Sequence, residues 1–355
     1  MNPPKAAKAP SSATARAERV QQWEHWLGKY TEEPLLPELP LIDAHHHLWD
    51  RGGHTYLPTQ FRQDAQGHKV AASVYVECLS GYRDYGPEHL RCVGETEYLL
   101  GLLSQTPANT TPDIGAGIVG RADLALGDAV DAVFDAHVQA AGTRFKGIRY
   151  ATAWDADPSI HGAYPTHAGM LTEPAVQAGA RRLGARGMTL DLWCYFHPLD
   201  DVAVLARACP GVPIVLDHLG GPIGAGPYAD RRADVFQRWR HGMQALGAYP
   251  NVQVKLGGLA MSVAGFGWRQ RAAPPSSTDL AQAWQPYVDT CLEVFGAGRC
   301  MFESNFPVDR TGCSYGVLWN AFKRLAQALS EAERDALCAG TARRVYRLPG
   351  RATAG

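Results

Sequence analysis

The run Asp43-Ala44-His45-His46-His47-Leu48-Trp49 closes a short apolar segment that begins at Leu41. Side chains alternate faces along a strand, so His45 and His47 project to one side and His46 to the other. Two neutral imidazoles in one mouth are good donors to a divalent ion, zinc more naturally than manganese, and such an ion activates water for attack on a carbonyl. His218 closes a later apolar run in Asp217-His218-Leu219-Gly220, and His197 lies in CYFHPLDD. Glu303 and Asn305 stand two apart in CMFESNFP. On a continuous strand they would share one face, with Glu303 roughly 6 to 7 Å deeper. An amide has no useful basicity near neutral pH, so Asn305 could bind a metal or orient a water without taking its proton. Glu303 is the carboxylate that could act as base or ligand, or simply be held by a buried cation such as Lys255; Asp309 is a second candidate base, from a loop, or a turn and salt-bridge residue.

Charged groups inside apolar runs are the next signal. Arg149 ends FKGIRY and Lys255 sits within VQVKLGG. A buried cation needs a partner or a substrate to meet it. The planar fork of Arg149 suits a substrate carboxylate. Lys255 could stabilise an oxyanion or pair with Glu303 or Glu77. Glu77, Tyr82 and Arg83 follow the second apolar run and are candidate substrate contacts. Trp49, Trp154, Trp193 and Trp268 fall near strand ends or loops, where they could pack or wall a ring-shaped substrate.

Such groups act together only if the chain brings these segment ends to one place. From Leu41 onward, eight short runs alternate with longer amphipathic stretches: LIDAH, VAASVYVE, DIGAGIVG, FKGIRY, MTLDLWCY, VPIVLDH, VQVKLGG and CMFES. That alternation predicts repeated βα units, and eight of them predict a closed (β/α)8 TIM barrel of class α/β, with pockets built from the loops at the carboxyl ends of the strands. No G-x-G-x-x-G follows the first run to favour a dinucleotide fold. The expected organisation is a disordered leader over 1–17, a helical arm over 18–40 outside the barrel, the barrel over 41–346, and a short tail over 347–355.

The 355 residues are 46% hydrophobic and 19% charged, enough for a large core. Lys plus Arg number 34 against 35 Asp plus Glu, a balance that gives no field for nucleic acid or an anionic membrane. No stretch of roughly 18 apolar residues occurs. The expected partner is a small-molecule substrate, with a homo-oligomer left open. Eight scattered cysteines without a C-x-x-C pair read as reduced thiols of a cytoplasmic protein.

In this order the segments are specific: the H-x-H at His45 and His47, VEC from Val76, GETEYL from Gly94, KGIR from Lys146, VLDHLGGP from Val215, VKLGGL from Val254 and MFESNFPVD from Met301. From about Leu41 to about Tyr346 the chain resembles the amidohydrolase superfamily, in its amidohydrolase-related branch, which includes sugar-acid and aromatic-pathway lactonases. The resemblance implies a metal held by His45 and His47, with His197 and His218 as further ligands, and hydrolysis of a lactone in a small carboxylated or polyhydroxylated molecule. The branch usually carries Ser-Asp-Trp-Pro at the eighth strand, with the Asp as ligand and base; this chain has Ser304-Asn305-Phe306-Pro307. That departure keeps other readings open: a metal-independent lactonase or isomerase with no cofactor, a decarboxylase, or a non-catalytic binding barrel.

Overall fold

Each of the eight runs forms a strand in the computed structural model, which describes residues 13–107, 110–160 and 162–349. The strands are β1 (Leu41–His46), β2 (Val70–Val76), β3 (Asp113–Arg121), β4 (Phe145–Ala151), β5 (Thr189–Trp193), β6 (Ile214–Leu216), β7 (Val252–Leu256) and β8 (Cys300–Phe302). They pair in parallel in sequence order to form one eight-stranded sheet. Helices follow the strands and bury a large apolar layer against the outside of the sheet. A smaller apolar cluster fills the interior, where Ile42, Val74, Val119, Val215 and Met301 meet Ala342, Tyr346 and Leu348 from the end of the chain. Leu348 is buried in that cluster.

The barrel is nearly closed, and the last seam is made by residues just past β8. Asn305 N donates to His45 O at 2.8 Å and His47 N to Phe306 O at 2.7 Å. Asp43 latches the same seam: Oδ1 accepts from Ser304 N at 2.9 Å and Oδ2 from the Tyr315 hydroxyl at 3.1 Å.

Strands β6 and β8 stop earlier than their apolar runs suggest. His218, Leu219 and Asn305 adopt left-handed backbone conformations, at φ 54°, 53° and 53°. Leu is the least suited of these three to that region, which Asn and His enter more readily, and such strain gathers at functional sites. Glu303 and Asn305 thus lie beyond the strand, and strand alternation does not describe how they face each other.

The amino-terminal helix α1 (Ala13–Leu27) starts inside the segment expected to be leader; alanines at 13, 15 and 17 favour helix, and the nearest proline is Pro10. Residues 1–12, the rest of that expected leader, lie outside the described residues, as do 350–355 of the expected tail. The helix lies against the loops after β1, β7 and β8. Trp26 Nε1 donates to Arg271 O at 2.9 Å, Arg310 pairs with Glu24 at 2.7 Å, and Arg16 donates to Gly52 O at 2.8 Å. No helix among the described residues is long and apolar enough to cross a membrane.

Candidate active site

The imidazoles of His45 and His47 meet at the carboxyl end of β1, as alternation requires, with their Nε2 atoms 3.2 Å apart. His46 faces the other way, bonded to Ser73 Oγ at 2.9 Å and packed on Phe61. His47 Nδ1 lies 2.7 Å from the Val76 carbonyl, which can only accept, so Nδ1 carries the proton and Nε2 presents a bare lone pair. That Nε2 is also 3.3 Å from Asn305 Oδ1. Asn305 Nδ2 donates to Asp309 Oδ1 at 3.0 Å, an interaction that turns the amide oxygen toward His47. Burial pushes both imidazoles well below the usual histidine range, helped by the charges of Lys255 at His45 and Arg149 at His47, so both are neutral.

Glu303 clasps two histidines. Oε1 accepts from His218 Nδ1 at 2.6 Å and from His218 N at 2.9 Å, and Oε2 lies 3.0 Å from His45 Nδ1, an ion-pair approach without hydrogen-bond alignment. Burial alone would raise the Glu303 pKa, but the two imidazoles outweigh it and hold the carboxyl at about 2. Burial likewise opposes charge on His218, yet Glu303 and Asp217 outweigh it and raise its pKa. Close packing around this pair depends on Gly257 and Gly258. A Cβ on Gly257 would stand 2.4 Å from Glu303 Cγ, and one on Gly258, at φ 73°, would stand 2.5 Å from His218 Cβ.

Lys255 is fully buried beneath His45. Its Nζ donates to Asp191 Oδ2 at 2.6 Å, lies 3.0 Å from Asp217 Oδ1, and approaches His45 Nδ1 at 3.2 Å. Burial disfavours the ammonium, but Asp191, Asp217 and Glu303 outweigh it and raise its pKa. The ion-pair partners are therefore Asp191 and Asp217, not the Glu303 or Glu77 suggested by sequence. Tyr346 also donates to Asp191 Oδ2, at 2.6 Å. Period-two alternation in TLDLW could have singled out Asp191, in the middle of a buried strand.

Arg149 is committed within the protein. Nε donates to Glu77 Oε1 at 2.9 Å, Nη2 to Glu77 O at 2.5 Å, and Nη2 also bonds the Tyr164 hydroxyl. Arg149 and Glu77 thus form an internal pair beside His47, attached to it through the Val76 carbonyl. Tyr82 is partly exposed on the following loop, and Arg83 pairs with Glu97. His197 does not join the histidine cluster; its Nε2 bonds Asp155 Oδ2 at 2.7 Å, and the Tyr228 hydroxyl bonds the same oxygen at 2.8 Å. The structure places His45, His47, His218, Lys255, Glu303 and Asn305 in one buried centre, with Tyr82, Arg83 and His197 outside it.

The donor set fits a divalent metal. Donors around a tetrahedral zinc at about 2.0–2.1 Å stand roughly 3.3 Å apart, close to the spacings from His47 Nε2 to His45 Nε2 and to Asn305 Oδ1. His47 has an acceptor for its other nitrogen, as a ligating histidine requires, whereas His45 Nδ1 lies between Glu303 Oε2 at 3.0 Å and Lys255 Nζ at 3.2 Å. The tautomer of His45 decides its availability. With the Nδ1 proton toward Glu303, Nε2 is free to donate to a metal; with Nδ1 accepting from Lys255, the proton sits on Nε2 and bonds His47. Ligand atoms of His45, His218 and Glu303 also lie within 4.8 Å of one another and form a second set that could hold an ion; the His218 Nδ1–Glu303 Oε1 hydrogen bond leaves Glu303 Oε2 without a hydrogen-bond partner.

Comparison with known proteins gives the family of the chain. The amidohydrolase family model matches residues 42–348, nearly the whole barrel, and the chain belongs to that family. It is a hydrolase. The chain is 28% identical over 323 residues to an L-fucono-1,5-lactonase of Burkholderia multivorans, covering 87% of this chain and 96% of that one. It is 29% identical over 335 residues to the uncharacterised protein y4mH of Sinorhizobium fredii, covering 88% and 100%. Among solved structures, a Burkholderia multivorans amidohydrolase with bound zinc superposes with a TM-score of 0.68 at 27% identity, covering 87% of this chain and 99% of that one.

Proposed function

We propose that this chain hydrolyses a lactone of a small carboxylated or polyhydroxylated molecule, with His45, His47 and the Asn305 carbonyl oxygen holding a divalent metal, zinc in preference to manganese. The observation that carries the reading is the convergence of two neutral imidazole nitrogens and an amide oxygen at 3.2 and 3.3 Å. The similarity to an L-fucono-1,5-lactonase supports a cyclic ester as substrate. A divalent metal in such a site lowers the pKa of water so that hydroxide forms near neutral pH. His218, whose pKa is raised by Glu303, is the group that would meet the oxyanion developing on the lactone carbonyl. Glu303, with both oxygens turned to imidazoles, positions His45 and His218, and Lys255 carries the counter-charge for Asp191 and Asp217.

Hydrolysis of a panel of neutral and carboxylated γ- and δ-lactones, followed by proton release, tests the reading. Turnover of at least one class, reduced at least a hundredfold in His45→Ala and His47→Ala, is expected. Absence of turnover across the panel with zinc or manganese supplied would contradict it. The Lys255–His45 contact supports a second reading, metal-independent lactone opening, in which the His45–His47 hydrogen bond stays closed; turnover undiminished by chelation would favour it.

A further inference from the structure

A cavity of about 630 Å³ lies between α1 and the loop that follows β7. Arg19 and Trp23 of the helix form one wall, and Met261, Trp268, Arg269 and Gln270 of the loop form the other. Its floor includes Ala260, whose N–H donates to Asp309 Oδ2 at 3.2 Å; Asp309 in turn holds Asn305. The cavity is thus two hydrogen bonds away from the candidate metal ligand. Its helical wall lies outside residues 42–348, the part of the chain matched by the family model.

The chemistry of the walls specifies a ligand. Arg269 is half-buried, with its guanidinium carbon 5.6 Å from the Trp23 ring and 5.0 Å from the Trp26 ring. Among the described residues no carboxylate pairs with it, whereas Arg271 nearby has Asp279 and Arg310 has Glu24. Burial lowers the Arg269 pKa, a sign that its charge is poorly solvated. A partly desolvated guanidinium lacking an acid attracts an anion, and a carboxylate matches its fork. Trp23 lies under Arg269 and Trp268 under Phe266 and Arg271, so these indoles add apolar lining beside the guanidinium. Arg149, the arginine that sequence would assign to a substrate carboxylate, is already taken by Glu77.

We propose that this cavity is an anion subsite that takes the carboxylate-bearing end of the substrate, with Arg269 and Arg19 facing the carboxylate and Trp23 and Trp268 supplying apolar lining. The helical arm is then part of the substrate site, and the proposal selects a carboxylated over a merely polyhydroxylated lactone. Its link to catalysis rests on the lactone-hydrolase reading; the binding itself does not.

Calorimetric titration of the full chain with benzoate, and with benzamide as the neutral counterpart, separates the two. Benzoate is expected to bind at least tenfold more tightly than benzamide and to raise the apparent KM for a carboxylated lactone while leaving kcat unchanged. Arg269→Gln should weaken benzoate about tenfold and change benzamide less than twofold, and Arg19→Gln should weaken benzoate about threefold. Arg19 is exposed, so its variant decides the matter if Arg269→Gln does not fold. Equal binding of the two probes, no benzoate binding, or unchanged benzoate affinity in the folded variants would overturn the subsite. Benzoate binding as expected in a protein that hydrolyses no lactone would remove the catalytic reading and leave the subsite standing.

Discussion

The side-chain amide of Asn305 donates to Asp309 Oδ1 at 3.0 Å, and this single bond fixes which end of the amide meets His47. The pair predicts a charge-swap result. Asn305→Asp would place two carboxylates in contact and remove the donor, leaving buried acceptors unsatisfied at a cost of about 1–3 kcal/mol. The expected outcome is a loss of about tenfold in kcat/KM, with Asp309→Asn similarly impaired. In the double variant Asn305→Asp/Asp309→Asn the new amide at 309 can donate to the new carboxylate, so activity should recover above either single variant. Steady-state kinetics on all four proteins checks this; strictly additive losses would show that the two side chains do not act as a unit.

Much of this arrangement was legible in the sequence, for reasons that also mark where legibility ends. The eight runs and their order are set by alternation and length, and the facing of His45 and His47 follows from the two-residue period. The ends of β6 and β8 were not readable, because His218 and Asn305 leave the strand through left-handed conformations. Glu303 looked like a base because a strand-end carboxylate in a barrel is a chemical candidate; only the fold shows both oxygens turned to imidazoles. The partners of Lys255 are far from it in sequence, with Asp191 on β5 and Asp217 just past the end of β6. Nor does the spacing within α1 tell that Trp26 will bond Arg271, 245 residues away.

Gly258 provides a test of packing. Its φ of 73° and the 2.5 Å separation between an added Cβ and His218 Cβ both exclude a side chain. The backbone conformation alone costs an alanine about 1–2 kcal/mol. Gly258→Ala is therefore expected to lower Tm by several degrees and activity at least tenfold, because the group displaced is His218. A calorimetric scan with parallel kinetics would show it; unchanged values would mean that the loop after β7 yields without disturbing the histidine.

Stability should depend on pH through Glu95. Its Oε1 accepts from Tyr75 at 2.8 Å and from Cys78 N at 2.6 Å, while Oε2 is buried without a partner. Burial, then the neighbouring Glu77 charge, raises its pKa above the ordinary carboxylate range. A raised acid binds its proton more tightly when folded. Its stabilising effect is complete below the unfolded pKa and disappears as pH rises through the folded one. Glu95→Gln keeps an oxygen for both donors and cannot ionise. The wild type should lose Tm relative to this variant as pH rises from about 4.3, the ordinary glutamate value, toward neutrality. A constant difference between the two proteins over that range would refute the assignment.

The proposed chemistry requires that His45 and His47 share a metal ion. Elemental mass spectrometry of the purified full chain, with His45→Ala and His47→Ala prepared in parallel, measures this directly. About one equivalent of a divalent metal, zinc ahead of manganese, is expected in the wild type, with its loss from both variants. A metal-free wild type that takes up neither ion on titration, or variants that keep the full equivalent, would contradict it.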